Sequence, residues 1–252
     1  HPASLSGFLC RGRLHVFTVR LCGLNIEIDN RYGYVESLCR NYIGTDGGAA
    51  AFRVRVSGED ICGYRAECDR RMSDAEAESA LLYRAICGRM PAYDALLLHA
   101  AVVAVDGRGY AFSAARGVGK TTHLRAWQEV LGDRVTVVNG DKPLVRRTPD
   151  GHWWVYGTPW CGKEGEQTNT RCQLNAVCLL SRGQTNAISR APLTDAAAGI
   201  LEATLLPPTQ PLRDRMAELV GALVRDVPVF TMTCLPDRTA AELAYATLAR
   251  IT

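Results

Sequence analysis

A glycine-rich stretch near the middle of the chain holds the residues best suited to chemistry. Residues 113–122 read Ser-Ala-Ala-Arg-Gly-Val-Gly-Lys-Thr-Thr. Glycines let a backbone approach an anion closely and turn several N–H groups towards it. A lysine and a hydroxyl residue at the end of such a stretch are typical of a phosphate-binding loop, or P-loop, that leads into a helix.

The P-loop pattern gives each residue an expected role. Lys120 would reach the β- and γ-phosphates of a nucleotide, and the Thr121 hydroxyl would hold Mg²⁺. The usual pattern has a glycine at position 114, whereas this chain has Ala114, and alanine tolerates a positive φ poorly. A glycine-rich turn that happens to precede a lysine is the alternative, but a predicted strand before it and helix after it favour the P-loop. The residues expected to contact nucleotide are Ala115, Arg116, Gly117, Val118, Gly119, Lys120, Thr121 and Thr122.

Two residues outside the loop are further candidates. Asp141 follows the apolar run 135–138, where a P-loop protein needs an acidic ligand for its metal; the alternative is a simple turn residue. His99 interrupts an apolar run just before the loop. It is either a hydrogen-bonded core residue or a group that moves a proton, and the residues alone narrowly favour the core position.

The N-terminal part of the chain must support this site, and its patterns predict a small, β-rich region. Residues 14–28 alternate apolar and polar around a Cys-Gly pair, which predicts a hairpin. We expect a short helix over 34–42 and a strand over 52–56. The run Ser-Asp-Ala-Glu at 73–76 is a capping box that opens a helix ending before Pro91. We therefore predict two domains, a small α+β domain over 1–92 and a catalytic domain over 93–252.

The second part is predicted to be an α/β core with a partly antiparallel sheet. One long strand over 96–105, a turn at 106–109 and a strand over 110–113 lead into the P-loop. A helix through 131 and a buried strand over 134–138 follow it. Further strands are expected at 144–147, 153–157, 174–180 and 228–233, and helices at 194–206, 212–225 and 238–250.

Composition excludes several classes of function. The 252 residues are 47% hydrophobic and 22% charged, as in ordinary globular proteins, and the net charge of +3 is too small for a nucleic-acid-binding surface. We expect no membrane span or signal peptide, because no apolar run is long enough. Ten cysteines occur without Cys-x-x-Cys spacing, so no zinc site is expected. A P-loop protein of this kind is expected in a reducing cytoplasm.

Three motifs together resemble the catalytic domain of HPr kinase/phosphorylase, and more closely a group of HPr-kinase-like, phosphoenolpyruvate-carboxykinase-related bacterial proteins. They are Leu-His-Ala at 98–100, the P-loop followed by Val-Asn-Gly-Asp at 138–141, and Tyr-Gly-Thr-Pro-Trp-Cys-Gly-Lys at 156–163. The resemblance covers residues 94–190 well. It implies a mixed-sheet P-loop fold of the HPr kinase/PEP carboxykinase type, with ATP or another nucleotide and Mg²⁺ as cofactors.

The resemblance also bears on individual residues. It makes His99 an active-site candidate beside Lys120 and Asp141. The family carries two adjacent aspartates after the second strand, whereas this chain has Gly140 in the first place. Asp141 therefore serves as both metal ligand and base, or His99 takes the proton, or a later residue does. Four residues of the following polar stretch are candidates for substrate contact, with an exposed loop as the alternative: Lys163, Glu164, Asn169 and Arg171.

The function that these features predict is an ATP-dependent kinase acting on a hydroxyl, in the family a serine. The partners would be the nucleotide and a hydroxyl-bearing peptide, protein or small molecule, and HPr itself is not expected. The resemblance also allows a homo-oligomer. A non-catalytic nucleotide-binding sensor or scaffold is the main alternative, favoured by Ala114 and Gly140, and a P-loop nucleotide hydrolase is the other.

Overall fold

A computed structural model describes residues 15–68, 71–115 and 117–251. The strands of the N-terminal part are β1 (His15–Leu21), β2 (Leu24–Asn30) and β3 (Phe52–Arg55). The remaining strands are β4 (Ala95–Leu97), β5 (Ala100–Val105), β6 (Arg108–Ser113), β7 (Val135–Asn139), β8 (Leu144–Arg147), β9 (Trp153–Tyr156), β10 (Arg171–Arg182), β11 (Ala187–Arg190) and β12 (Val229–Cys234). The α-helices are α1 (Gly33–Leu38), α2 (Gly58–Glu67), α3 (Asp74–Arg89), α4 (Lys120–Leu131), α5 (Leu193–Glu202), α6 (Gln210–Asp226) and α7 (Arg238–Leu248).

The N-terminal part is a three-stranded sheet packed against helices α1 to α3. Strands β1 and β2 form the predicted hairpin, and both turn residues, Cys22 and Gly23, adopt positive φ. Strand β3 adds parallel to β2. The predicted capping box at Ser73 is confirmed, because its side chain accepts from the Glu76 backbone N–H at the start of α3. Helix α2 was not predicted; a second capping box, at Ser57, opens it.

The larger sheet has nine strands and mixed direction, which confirms the predicted mixed α/β architecture. Its strand order is β4-β8-β9-β10-β6-β5-β7, and β12 pairs with both β10 and β11. Strand β10 runs parallel to β6 and β12, whereas its first residues pair antiparallel with β9. The other pairs in this sheet are antiparallel. The long strand β10 therefore joins two branches of the sheet.

Helices cover both faces of this sheet. Helices α5 and α6 pack on one face, and α4 and α7 pack on the other. Strand β5 contributes Ala100 and Val102 to the first layer and Ala101 and Val103 to the second. A strand that is buried on both faces does not alternate between apolar and polar residues. This explains why the sequence of β5 is continuously apolar.

The predicted single strand over 96–105 is wrong. The chain breaks at Leu98 and His99 into β4, at one edge of the sheet, and β5, near the opposite edge. The His99 backbone N–H donates to the Ala203 carbonyl (2.7 Å) rather than to a neighbouring strand. A continuous apolar run carries no sign of such a break, because both pieces are buried.

Two further differences concern β7 and β11. Strand β7 was predicted to be buried, but it is an edge strand on which Thr136 is exposed. Strand β11 was not predicted at all. The apolar–polar alternation that predicts a strand is weak in β11, because three of its four residues are exposed.

An apolar cluster joins the N-terminal part to the larger sheet. Ala95, Leu144, Tyr156 and Trp160 pack with the buried side chains of β1 to β3 and α1 to α3. The division into domains at residues 92 and 93 stays a prediction. Among the helices that the structure describes, none combines the length and the hydropathy of a bilayer span.

Candidate functional site

The glycine-rich loop lies between a strand and a helix, as the P-loop pattern requires. Strand β6 ends at Ser113 and helix α4 begins at Lys120. Gly117 and Gly119 adopt φ values of 83° and 124°, a region that side chains disfavour. Ala114 does not have a positive φ, so the alanine at this position imposes no backbone strain. Arg116 lies outside the described residues.

The three predicted catalytic residues lie together beside this loop. The Nε2 atom of His99 lies 2.9 Å from Oδ1 of Asp141 and 3.1 Å from Nζ of Lys120. The Lys120 Nζ lies 4.0 Å from the same Asp141 oxygen and also donates to the Ala114 carbonyl (3.3 Å). Three distant segments thus meet: the break between β4 and β5, the start of α4, and the turn after β7.

The partners of His99 decide where its proton lies. An ionised carboxylate only accepts hydrogen bonds, so a bond to Asp141 requires a proton on His99 Nε2. In that arrangement the short contact to Lys120 is not a hydrogen bond, because an ammonium group only donates. The Nδ1 atom of a neutral His99 is then free to accept a proton, and Asp141 holds the ring in this tautomer.

Charges around Asp141 control its ionisation. Burial favours the neutral acid, but the hydrogen bond from His99 and the charges of Lys142 and Lys120 outweigh it and hold the pKa of Asp141 below its usual value. Lys142 Nζ lies 3.5 Å from Oδ2 of Asp141. Burial lowers the pKa of Lys120, and the nearby Asp141 carboxylate partly offsets this. The site therefore presents a carboxylate at neutral pH beside a partly desolvated ammonium group.

A residue that the sequence interpretation did not select, Asn139, positions Asp141. Its side chain is fully buried, and its Oδ1 accepts from the backbone N–H groups of Asp141 (2.9 Å) and Lys142 (2.7 Å). Its Nδ2 donates to the Thr158 carbonyl (3.0 Å). An Asn-Gly-Asp sequence does indicate a turn that the asparagine side chain closes. The hydrogen bond from Asn139 to Thr158 joins residues distant along the chain, so the sequence gives no indication of it.

The segment 157–163 covers the Asp141 turn. The Thr158 hydroxyl donates to the Lys142 carbonyl (2.8 Å). Gly162 has a positive φ of 83°, and a Cβ there would lie 3.2 Å from Cβ of Asp141. This segment therefore borders the Asp141 side chain.

Gly140 occupies the position at which the family resemblance leads one to expect a first aspartate. Its N–H donates to the Glu166 carbonyl (2.9 Å). A Cβ at this position would lie 3.2 Å from the Cys161 carbonyl oxygen and 3.3 Å from that of Glu166. A side chain here would press on both oxygens, so the backbone around Gly140 is fitted to glycine.

The four predicted substrate residues make other contacts in the structure. Lys163 and Glu164 are exposed, and Glu164 pairs with Arg125 on α4 (2.9 Å). Asn169 donates to a backbone carbonyl in the N-terminal part, and the Arg171 guanidinium lies over the Trp154 ring. Within the described residues, none of the four bonds to His99, Lys120 or Asp141, and their roles stay predictions.

Asp141 and Thr121 are the two residues at this site that could serve as oxygen ligands of a metal ion. The described residues contain no group of three or more His, Cys, Asp or Glu side chains arranged to hold a metal. Mg²⁺ needs only one or two carboxylates when phosphate oxygens and water complete its shell. Asp141 supplies an ionised oxygen donor, and Thr121 is the second residue of α4, at the start of the helix.

Comparisons with known proteins give only a loose likeness. No protein-family model and no curated protein matches the sequence. One similar solved structure is the Hpr(Ser) kinase/phosphatase from Coxiella burnetii, at 14% identity and a TM-score of 0.29, covering 52% of this chain and 88% of that one. An overlap this loose identifies neither fold family nor activity, so function has to be inferred from the site.

Proposed function

We propose that the chain binds a magnesium nucleoside triphosphate, such as ATP, at residues 113–122 and transfers its terminal phosphoryl group to a hydroxyl, such as that of serine. The observation that carries this proposal is the meeting of His99, Lys120 and Asp141 within 4.0 Å beside the loop. Phosphoryl transfer depends mainly on positioning and on charge placed around the transferred group. An ammonium group, a carboxylate and an imidazole at one end of an anion-binding loop meet those needs.

The loop and α4 would bind the phosphates. Backbone N–H groups near Gly117 and Gly119 and the positive N-terminal end of α4 attract the anion. Lys120 would place its ammonium group against the β- and γ-phosphates, exchanging its present contact with His99 for phosphate oxygens. Arg116 and Thr122 are further proposed contacts.

Asp141 and Thr121 would hold the metal ion. The donors fit Mg²⁺, since both are oxygen ligands and Asp141 is ionised. When bound, Mg²⁺ would neutralise charge on the β- and γ-phosphates. Asn139 would keep the Asp141 carboxylate in place through the two backbone N–H groups that it holds.

His99 would take the proton of the acceptor. The acceptor oxygen forms a bond to the γ-phosphorus as the bond from that phosphorus to the β–γ bridging oxygen breaks, and the nucleoside diphosphate leaves. The hydroxyl proton passes to Nδ1 of His99, whose opposite nitrogen is held by Asp141 (2.9 Å). Because the transition state is loose, a weak base is sufficient.

The acceptor would lie against the segment 157–163, which borders Asp141. A hydroxyl-bearing peptide, protein or small molecule fits this assignment. Lys163 is exposed at the end of this segment and would contact the acceptor or its phosphate. Glu164, Asn169 and Arg171 are proposed for the outer part of the same surface.

A second candidate is nucleotide binding without transfer. It is favoured by Gly140, whose tight backbone surroundings leave Asp141 as the single carboxylate of the cluster among the described residues. One carboxylate engaged by two lysines and a histidine is a weaker metal ligand and base than a pair of aspartates.

The test is transfer of label from γ-labelled ATP with Mg²⁺ to free serine and to a serine-containing peptide library. We expect label on an acceptor, and a loss of at least about 100-fold in Lys120→Met and Asp141→Asn. The control is Asp195→Asn, an exposed acid on α5, which should keep full activity. Nucleotide binding without transfer would favour the second candidate, and release of free phosphate alone would favour a nucleotide hydrolase. If the protein does not bind nucleotide, the kinase, the binding-only protein and the hydrolase are all refuted.

A further inference from the structure

A second lysine, Lys142, lies beside the reactive cluster and contacts the Asp141 oxygen that does not bond to His99. Its Nζ is 3.5 Å from Oδ2 of Asp141, whereas His99 and Lys120 approach Oδ1. The Lys142 side chain is 42% exposed, against 11% for that of Lys120. Among the described residues, Asp141 is the only acidic partner of the Lys142 ammonium group. One ammonium group of the site is thus largely enclosed, and the other is open to solvent.

The backbone of Lys142 is held on both sides, although its side chain is half exposed. Its N–H donates to Oδ1 of Asn139 (2.7 Å), and its carbonyl accepts from the hydroxyls of Tyr83 (2.6 Å) and Thr158 (2.8 Å). An exposed ion pair with Asp141 alone would not require this anchoring, because such pairs form between flexible side chains and stabilise little. The fold therefore fixes the point from which the Lys142 side chain extends.

Resting on the proposed function, we propose that Lys142 binds a carboxylate of the acceptor. His99, the proposed base, and Lys142 contact the two oxygens of the same Asp141 carboxylate. An acceptor whose hydroxyl reaches His99 therefore places the groups next to that hydroxyl beside Lys142. The substrate class is then a hydroxyl compound with a carboxylate close to the hydroxyl, as in serine itself or in a peptide whose serine is followed by an acidic residue.

The charges of the site favour an anionic group at this place. Lys120 and Lys142 are positive and Asp141 is negative, so the cluster with a neutral imidazole has an uncompensated positive charge. Lys120 is engaged at the glycine-rich loop, where its Nζ donates to a backbone carbonyl (3.3 Å). Lys142 is bonded instead to Thr158 in the segment 157–163, against which the acceptor is proposed to lie. An ammonium group in this position forms a charge-assisted hydrogen bond with a carboxylate.

The test measures whether Lys142 and a carboxylate of the acceptor act together. Label transfer from γ-labelled ATP is followed to L-serine and L-serinamide, and to two amidated peptides that contain Ser-Asp or Ser-Ala. Each pair differs in one carboxylate. We expect the wild-type protein to prefer the carboxylate-bearing member of one pair by about ten-fold or more in kcat/KM. The pair that shows the preference identifies whether the carboxylate belongs to the serine or to the residue after it.

Variants of Lys142 separate this role from a structural one. Lys142→Met should abolish the preference by slowing transfer to the carboxylate-bearing acceptor alone, and Lys142→Arg, which keeps the charge, should retain it. The hydrogen bonds at this residue are made by its backbone, so both variants should unfold in urea as the wild type does. The matched control is Arg147→Met, which removes a cation of similar exposure that pairs with Asp226 (3.2 Å). It should keep both the activity and the preference.

The outcomes distinguish this assignment from the proposed function. A loss of activity in Lys142→Met that is equal for every acceptor would overturn the assignment, because it would show that Lys142 acts on the phosphates or through Asp141. Equal labelling of both members of each pair by the wild-type protein would also overturn it, while the proposed kinase activity stands. If none of the four acceptors is labelled, the proposed function fails and the assignment fails with it.

Discussion

The chemistry of the site depends on single residues whose surroundings set their charge. Asp141 is held ionised by His99, Lys142 and Lys120 against the effect of its burial. The surroundings of His123, two residues beyond Thr121, have the opposite effect and favour the uncharged form of its side chain. Among the residues that the structure describes, no charge compensates its burial, which lowers the pKa of His123 to about 4. Its imidazole is therefore neutral at neutral pH and accepts from Trp127.

The low pKa of His123 predicts a pH-dependent stability. Between pH 6.5 and about 4 the unfolded chain binds a proton at this residue and the folded chain does not. The free energy of unfolding should therefore decrease as the pH is lowered through this window, by about 3 kcal/mol in total. Urea unfolding at pH 7, 5.5 and 4.5 measures the effect as the difference between wild type and His123→Gln. His152→Gln, at an exposed histidine, should keep the wild-type slope, and parallel curves for wild type and His123→Gln would contradict the prediction.

At the scale of elements, close backbone approaches hold the site together. The segment after β9 passes so near the chain at 168 that a Cβ on Gly157 would lie 1.9 Å from the Thr168 carbonyl oxygen and 2.7 Å from that of Val138. The Gly157 N–H donates to the Thr170 carbonyl, and the Thr168 N–H donates to that of Val138. These bonds fix the end of β7, from which Asn139 and Asp141 follow.

Gly157→Ala should therefore destabilise the protein strongly. A methyl group has no room between two backbone oxygens, and forcing one in costs about 3 kcal/mol or more. The matched control is Gly58→Ala at the first turn of α2, where a Cβ would meet nothing within 4 Å. Urea unfolding should give a large loss for Gly157→Ala and a change within about 0.5 kcal/mol for Gly58→Ala. Similar values for the two variants would show that the approach at Gly157 is not tight.

At the scale of the whole molecule, the N-terminal part supports the turn that carries Asp141. Tyr83 on α3 donates its hydroxyl to the Lys142 carbonyl (2.6 Å) and stacks on Trp160, with ring centroids 4.2 Å apart. The Trp160 indole N–H in turn donates to the Ser79 hydroxyl (3.0 Å). Helix α3 thus holds both the turn after Asp141 and the segment that covers it.

This contact predicts that a change in α3 alters nucleotide binding from a distance. Tyr83→Phe removes the bond to Lys142 and should cost about 1 kcal/mol of stability, and it should weaken magnesium-nucleotide affinity by about five-fold. Tyr93→Phe removes a similar bond, from a tyrosine hydroxyl to the Ala51 carbonyl (2.8 Å), away from the site. It should cost similar stability and leave affinity unchanged. Calorimetry measures nucleotide binding by both variants, and urea unfolding measures their stability. Equal nucleotide affinities of Tyr83→Phe and Tyr93→Phe would show that α3 does not act on the site.

Much of the fold was predictable because it is encoded locally. The hairpin at 15–30, the capping box at Ser73 and the strand-loop-helix around the glycine-rich loop at 113–122 each depend on residues close in sequence. The helices α5, α6 and α7 were likewise predicted near their observed bounds. The break at Leu98 and His99 was not predictable, because two buried strands in succession give one uninterrupted apolar run.

The sequence by itself determined the residue types of the site and the loop that carries Lys120, since glycine spacing and a helix start are local properties. Only the tertiary structure decided that His99 and Asp141 share one hydrogen bond, that Asn139 holds the Asp141 turn, and that Tyr83 and Thr158 hold the backbone of Lys142. These contacts join segments that are distant along the chain. Their geometry follows from how strands are ordered in the sheet and from close packing of the layers, which no short stretch of sequence specifies.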